Sequence, residues 1–143
     1  MDISICTDKS RLLTEDAFSV YASCMYRPSF EAYSAHIEAC LADPYVKIYV
    51  CTVSGERAGI LILRIKDSDS EIVGIAVSPR FRRRGIGKAM LCHVAKQEKL
   101  TSIRAQTDAD AIGFYRSCGF SEEKTIVEYP DGKAIRYNCV RYV

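Results

Sequence analysis

The sequence predicts a mixed α/β (α+β) domain in which a sheet of about seven strands carries about four helices. Three observations lead there. The apolar pattern changes period along the chain: helical spacing fills residues 14–41, β-branched and aromatic runs fill residues 47–77, and short helices and strands then alternate. Clusters of turn-forming residues separate the runs, at residues 54–57, 67–70 and 130–132. The run at residues 71–77 is apolar almost throughout after Glu71, as the buried middle of a sheet requires.

Each element has its own signal. Residues 2–7 alternate polar and apolar side chains as a half-buried strand does. Thr14-Glu15-Asp16 opens a helical stretch in which Phe18, Tyr21, Ala22 and Met25 share a face. Pro28-Ser29 interrupts it, and Ser29 stands where it can cap a second helix carrying Tyr33, Ile37, Cys40 and Leu41. Residues 47–53 and 59–65 read as the arms of a hairpin, and residues 71–77 as a third strand. Residues 85–98 form a helix with Ile86, Ala89, Met90 and Val94 facing inward. A short strand at residues 103–107, a short helix at residues 109–117 and a stop at Gly119 follow. Residues 125–127 and 133–140, around Pro130-Asp131-Gly132, make a last antiparallel hairpin. The order is β-α-α-β-β-β-α-β-α-β-β.

Composition bounds the function. With 143 residues, 48% of them hydrophobic and 27% charged, residues 1–143 suit a single domain with one core. The formal net charge is +2, from 20 basic and 18 acidic side chains, too balanced for a dedicated nucleic-acid or membrane-surface protein. Seven cysteines could suggest a disulfide framework, but the number is odd and no Cys-x-x-Cys pair occurs. Cys6, Cys51 and Cys139 lie in apolar, strand-like stretches where a reduced thiol packs as a small hydrophobe. The start, Met1-Asp2-Ile3-Ser4, lacks the pattern of a signal peptide, and no apolar stretch approaches the roughly 20 residues of a spanning helix. A cytoplasmic protein with reduced cysteines is expected.

The chemistry concentrates in Val77-Ser78-Pro79-Arg80-Phe81-Arg82-Arg83-Arg84-Gly85-Ile86-Gly87-Lys88. A buried strand ends at a proline, and a basic, glycine-punctuated loop opens a helix. The unpaired N–H groups of a first helical turn, with the helix dipole, make an anion site. Gly85 and Gly87 remove side chains that would hold a phosphate off the backbone. A Walker loop is excluded, because Arg82 stands at its first glycine and Ala89 at its hydroxyl residue. A dinucleotide fingerprint is excluded by Met90 at its third glycine.

The loop resembles the motif of the GNAT superfamily (Gcn5-related N-acetyltransferases), Arg/Gln-x-x-Gly-x-Gly/Ala, read here as Arg82-x-x-Gly85-x-Gly87 with Pro79 upstream. A second segment, Asp108-x-x-Ala111-Ile112-x-Phe114-Tyr115-x-x-x-Gly119-Phe120, is similar to that family's Asn-x-x-Ala…Phe-Tyr…Gly-Phe stretch. The resemblance implies a GNAT fold whose sheet is split between its fourth and fifth strands, and acetyl-CoA as cosubstrate. It also implies direct transfer of the acetyl group to a primary amine in a ternary complex. By that analogy the backbone of Ile75, Ala76 and Val77 pairs with the pantetheine amides, and the N–H groups of Arg83, Arg84, Gly85, Ile86, Gly87 and Lys88, beside Arg82, hold the pyrophosphate. A homodimer is compatible with it. A non-catalytic acyl-CoA-binding or sensor module on the same fold is the alternative.

Two residues are the catalytic candidates. Tyr115 offers a phenolic proton to the departing thiolate, since a phenol with a reference pKa of ~10 is protonated at neutral pH. Glu71 opens an apolar strand, an odd place for a carboxylate unless that end faces a cleft. It precedes Arg82 by the spacing at which histone-type GNAT members carry a glutamate base. As a base it needs desolvation or a bridging water. In ribosomal-protein N-terminal acetylases the base lies on the strand before the Phe-Tyr helix, where this chain has Ile103. Asp108 replaces the usual asparagine and cannot donate as an amide does. His36, His93 and Cys118 are expected to pack rather than react, and no residue spacing suggests a metal. Tyr26, Arg27, Tyr33 and Tyr129 could line an acceptor pocket or serve as ordinary surface and core residues. The acceptor is a small-molecule or peptide amine; nucleic acid and membrane are not expected partners.

Overall fold

The computed structural model describes residues 2–7 and 9–143. Its elements are β1 (Ile3–Thr7), α1 (Glu15–Tyr21), α2 (Phe30–Ala42), β2 (Val46–Val53), β3 (Glu56–Lys66), β4 (Asp69–Val77), α3 (Ile86–Gln97), β5 (Ser102–Thr107), α4 (Ile112–Ser117), β6 (Ser121–Tyr129) and β7 (Gly132–Tyr142). Short 3₁₀ turns follow α1 (Ala22–Cys24) and β4 (Pro79–Phe81). The strands form one seven-stranded sheet in the order β1-β2-β3-β4-β5-β7-β6. All neighbours are antiparallel except β4 and β5, which are parallel.

The apolar run in β3 serves both faces of this sheet. Ile60 and Ile62 join one core with Leu12, Ala17, Tyr33, Ile37 and Val50, under α1 and α2. Leu61 and Leu63 join the other with Met90, Leu91, Val94, Tyr115 and Phe120, under α3 and α4. A strand buried on both sides has no polar positions to alternate with, hence its continuous apolar sequence. Thr14 Oγ1 accepts the Ala17 N–H at 3.2 Å and Ser29 Oγ accepts the Ala32 N–H at 3.1 Å, so the expected helix starts are real N-caps. The β2–β3 hairpin turns on Ser54 (φ 50°) and Gly55 (φ 83°), two left-handed residues whose twist suits a two-residue loop.

The expectations needed adjusting in a few places. α1 stops at Tyr21, with Ala22 as its C-cap, and tightens into a 3₁₀ turn, yet Met25 still packs on the core that Phe18 and Tyr21 share. α4 starts at Ile112 rather than residue 109, because the Asp108 carboxylate takes the Asp110 and Ala111 N–H groups (3.1 and 3.0 Å) into a turn first. β6 and β7 are longer than residues 125–127 and 133–140 suggested, since backbone pairing with each other carries them through polar sequence. Cys51 and Cys139 are buried as expected, but Cys6 is exposed on the edge strand β1. No helix among the described residues is long and apolar enough to cross a membrane.

Candidate active site

β4 and β5 stay together for three residue pairs, Asp69↔Ser102, Ser70↔Ile103 and Glu71↔Arg104, and then part. Side chains clamp the closed end. The buried Ser70 hydroxyl donates to the Ser102 carbonyl (2.9 Å), and the Ser102 hydroxyl donates to Asp69 Oδ1 (2.8 Å). The Thr101 N–H reaches the Ser68 carbonyl at 2.7 Å. Past Glu71, β4 keeps its antiparallel partner β3 on one side and has no strand partner among the described residues on the other. The edge groups of residues 72–77 therefore face a V-shaped cleft without a strand to pair with, Cys24 reaching the Ile75 backbone and Arg82 the Val77 carbonyl. Because the two strands are parallel, the cleft widens toward their C-terminal ends, where the loops into α3 and α4 begin.

The loop into α3 is anchored by Phe81, which is buried, and by Arg82 Nε, which donates to the Val77 carbonyl at 3.1 Å. Arg83 (φ 63°) and Gly85 (φ 74°) are left-handed and turn the chain into the helix. The first intrahelical bond of α3 runs from the Ala89 N–H to the Gly85 carbonyl (2.9 Å), and no side chain caps the end. The N–H groups of Ile86, Gly87 and Lys88 thus precede the helix ladder, in a loop whose Arg82, Arg83 and Arg84 side chains are exposed. The two glycines do different work. A Cβ at Gly85 would meet nothing within 4 Å, so its need is for the left-handed backbone. A Cβ at Gly87 would lie 2.7 Å from the Phe114 ring, so that glycine is there for close packing of α3 on α4, not only to clear space for an anion. Through this contact the two motif segments meet.

On α4, Tyr115 is 5% exposed, with edge-on contacts to Phe114 and Phe120 at 5.2 and 5.3 Å. Burial pushes its phenol up to about 12, so it holds its proton across the neutral range. Glu71 sits at the vertex of the cleft, exposed, opposite Arg64 on β3 and Arg104 on β5. Ile75 and Val77 are half-buried and face the α3/α4 core, while Ala76 is buried on the other side. Asp108 uses its side-chain oxygen to order the start of α4, a task for which an acceptor suffices. Cys118 is buried and its thiol is pushed up by desolvation, which keeps it protonated and inert.

A hollow of about 250 Å³ lined by Tyr21, Cys24, Met25, Tyr26, His36 and Val73 lies against the other face of β4. Of the aromatic and basic residues singled out for an acceptor pocket, Tyr26 lines it and Arg27 stacks on Tyr26 at 5.2 Å. Tyr33 is buried, with its hydroxyl donating to the Leu12 carbonyl (2.6 Å), and Tyr129 lies exposed at the end of β6. Tyr21 and His36 were not singled out as site residues, and no sequence spacing links them. A larger hollow, about 510 Å³, lies between the β2–β3 hairpin and the start of α1. Its one deeply set cation, Arg57, is already paired with Asp16 at 2.6 Å. Among the described residues no cluster of His, Cys, Asp and Glu could hold a metal ion.

Comparison with known proteins agrees with this architecture. The Acetyltransferase (GNAT) domain family matches residues 44–122. The [ribosomal protein bS18]-alanine N-acetyltransferase of Escherichia coli K12 is 29% identical over 77 residues, covering 50% of this chain and 52% of that protein. The match thus spans about half the length of that relative. In fold, the crystal structure of the ribosomal-protein-S18-alanine N-acetyltransferase from Escherichia coli superposes with a TM-score of 0.75 at 20% identity, over 99% of this chain and 94% of the other. A GNAT family acetyltransferase from Elizabethkingia anophelis, solved with acetyl-CoA bound, gives 0.70 at 19% identity, over 99% and 98%.

Proposed function

The chain belongs to the GNAT acetyltransferase family, and from that premise we propose that it moves the acetyl group of acetyl-CoA directly onto a primary amine, in a ternary complex. The observation that carries the reading is the parting of β4 from β5 after Glu71, beside an α3 N-terminus that no side chain caps. A strand edge that no neighbouring strand pairs suits a ligand with amide groups of its own. Uncapped N–H groups among arginines suit a pyrophosphate, each charge-assisted bond contributing roughly 1.5–3 kcal/mol. A pantetheine pyrophosphate carries both features, and the residues present fit it. Ile75, Ala76 and Val77 would hold the amide-bearing arm; Arg82, Arg83, Arg84, Gly85, Ile86, Gly87 and Lys88 would hold the phosphates.

Acetyl-CoA, when bound, supplies an acetyl thioester for the amine to attack, with a thiolate as leaving group. Tyr115 meets that thiolate with its phenolic hydrogen. A phenol held at about 12 is a weaker acid than a thiol near ~8.5, so Tyr115 stabilises the sulfur by donating a hydrogen bond and keeps its proton. Glu71 receives the proton that the amine gives up. Being exposed at the vertex, it does so through a water or after the acceptor has covered it.

Calorimetric titration with acetyl-CoA, against ATP and NAD as controls, tests the cofactor. Selective binding is expected, weakened at least tenfold or so in Gly85→Leu, where a side chain forced into a left-handed backbone strains the loop by about 1–2 kcal/mol. No binding by the unaltered protein would remove the assignment. An amine screen beginning with a peptide whose first residue is alanine, followed by lysine and polyamines, then separates an enzyme from a module that binds without turnover.

A further inference from the structure

We propose that Tyr21 receives the acceptor amine, and that His36 positions Tyr21 by taking its phenolic hydrogen so that a lone pair of Tyr21 Oη faces the amine N–H. The inference rests on the transferase reading and adds to it the face of β4 from which the amine arrives.

Ile62 on β3 pairs with Gly74 and Leu63 pairs with Ile72, so Val73 has no partner and forms a bulge. An extra residue in one strand interrupts the alternation of side chains. Ile72 and Ile75 consequently face the α3/α4 core, while Val73 and Gly74 both face α1 and α2. At Gly74 the sheet has no side chain, and the Tyr21 hydroxyl occupies that space; a Cβ there would overlap it. The phenolic oxygen therefore lies on the sheet one residue before Ile75, where the residues assigned to the acyl-carrying arm begin. The Tyr21 side chain, 2% exposed, also lines the 250 Å³ hollow, together with Val73 and His36.

His36 Nε2 is 3.2 Å from Tyr21 Oη, and the two rings stack with centroids 5.6 Å apart and planes at 29°. The other titratable groups about His36 are Cys40 on α2, its Sγ 3.8 Å from the same nitrogen, and Cys24 on the turn after α1; Tyr33 packs on the far side of Tyr21 at 5.8 Å. From β4, Val73, Gly74 and the Ile75 backbone, which hydrogen-bonds Cys24, face the site. Burial pushes both thiols up, and none of the residues lining the hollow is charged at neutral pH. Burial also lowers the imidazole from its ordinary 6.5, so the ring is unprotonated at pH 7. A phenol is a stronger acid than a neutral imidazole N–H, and an imidazole nitrogen a stronger base than a phenol oxygen, so Tyr21 is the donor of the pair. Cys24 also lies within hydrogen-bond reach of the phenol, and the lone pair left on Tyr21 Oη is the acceptor that stands nearest Gly74. Acid reverses the arrangement. A protonated His36 donates from both nitrogens, which turns the Tyr21 O–H outward and puts a positive charge behind it, against an ammonium ligand.

The test is an NMR titration of the full chain with n-butylamine as the probe, with and without coenzyme A, following the ring resonances of Tyr21 and His36. At pH 7.5 the amine should shift both rings in the unaltered protein, and Tyr21→Phe should weaken its binding about threefold to tenfold. His36→Gln keeps a carbonyl to take the phenolic hydrogen but cannot titrate. It should hold the amine within about twofold at pH 7.5 and lose the fall in affinity expected of the unaltered protein as the pH drops below 6.5. Unchanged affinity in Tyr21→Phe, an amine that leaves both rings unmoved, or the same acid loss in His36→Gln would each overturn the proposal. Coenzyme A titration of the same samples reports on the transferase reading alone. A chain that binds coenzyme without a Tyr21-dependent amine response loses only this inference, and the converse result loses only that reading.

Discussion

A buried phenol and an exposed carboxylate divide the proposed chemistry between them, and each can be removed without disturbing the backbone. Tyr115→Phe deletes one hydroxyl from a ring that packs between Phe114 and Phe120. Its turnover should fall about 100-fold while coenzyme affinity, measured by calorimetry, stays within about twofold. Normal turnover would remove Tyr115 from the mechanism. Glu71→Gln keeps the shape at the vertex and loses the base. Turnover near pH 7 should drop by about 100-fold, and the deficit should shrink toward pH 10, where more of an ordinary amine (reference pKa ~10.4) is already neutral. A deficit independent of pH would mean that Glu71 orients the acceptor and moves no proton.

Between elements, the contact that matters most is where the first turn of α3 meets α4. The Phe114 ring fills the space a side chain at position 87 would need. Gly87→Ala should cost about 1–3 kcal/mol in urea unfolding, because the ring or the helix must move. Since Phe114 adjoins Tyr115, turnover should fall with it even though the N–H groups at the helix end remain. Full stability would show that the ring has room to swing away. Both motif segments were legible in the sequence as separate features, the one by its glycines and arginines, the other by Phe114-Tyr115 and Gly119. Their dependence on each other was not, because a glycine chosen for a neighbouring ring has the same letter as one chosen for a turn.

Across the whole molecule, long-range polar ties hold the sheet to its helices. Lys47 on β2 reaches Glu98 at the end of α3 (2.6 Å), and the Tyr49 hydroxyl donates to the same carboxylate (2.8 Å). Burial works to raise the Glu98 carboxyl, but the hydrogen bonds from Lys47 and Tyr49 outweigh it and leave it below its ordinary 4.5. A carboxyl lowered in the folded state stabilises the protein above its unfolded value and loses that contribution as pH falls through the folded one. Glu98→Gln should therefore cost about 1–2 kcal/mol at pH 7, Lys47 being half exposed, and make stability less steep in pH below 4.5. Equal slopes for the two proteins would assign the acid sensitivity to other carboxylates.

The sequence by itself determined the kind and order of the elements, the anion-seeking loop and the Phe-Tyr segment. Those are properties of neighbours along the chain: spacing of apolar residues, capping by Thr14 and Ser29, glycines at turns. Only the tertiary structure decided the rest. The clamp of Asp69, Ser70 and Ser102 that closes one end of the cleft joins residues more than thirty positions apart. The bulge at Val73 depends on how β4 registers against β3, and it is what turns Gly74 toward Tyr21. Tyr21 and His36 meet because α1 and α2 cross the same face of the sheet, over Val73 and Gly74 of β4. Each of these is a contact made by packing two surfaces together, and the local preferences of a chain hold no record of which surface will be brought to which.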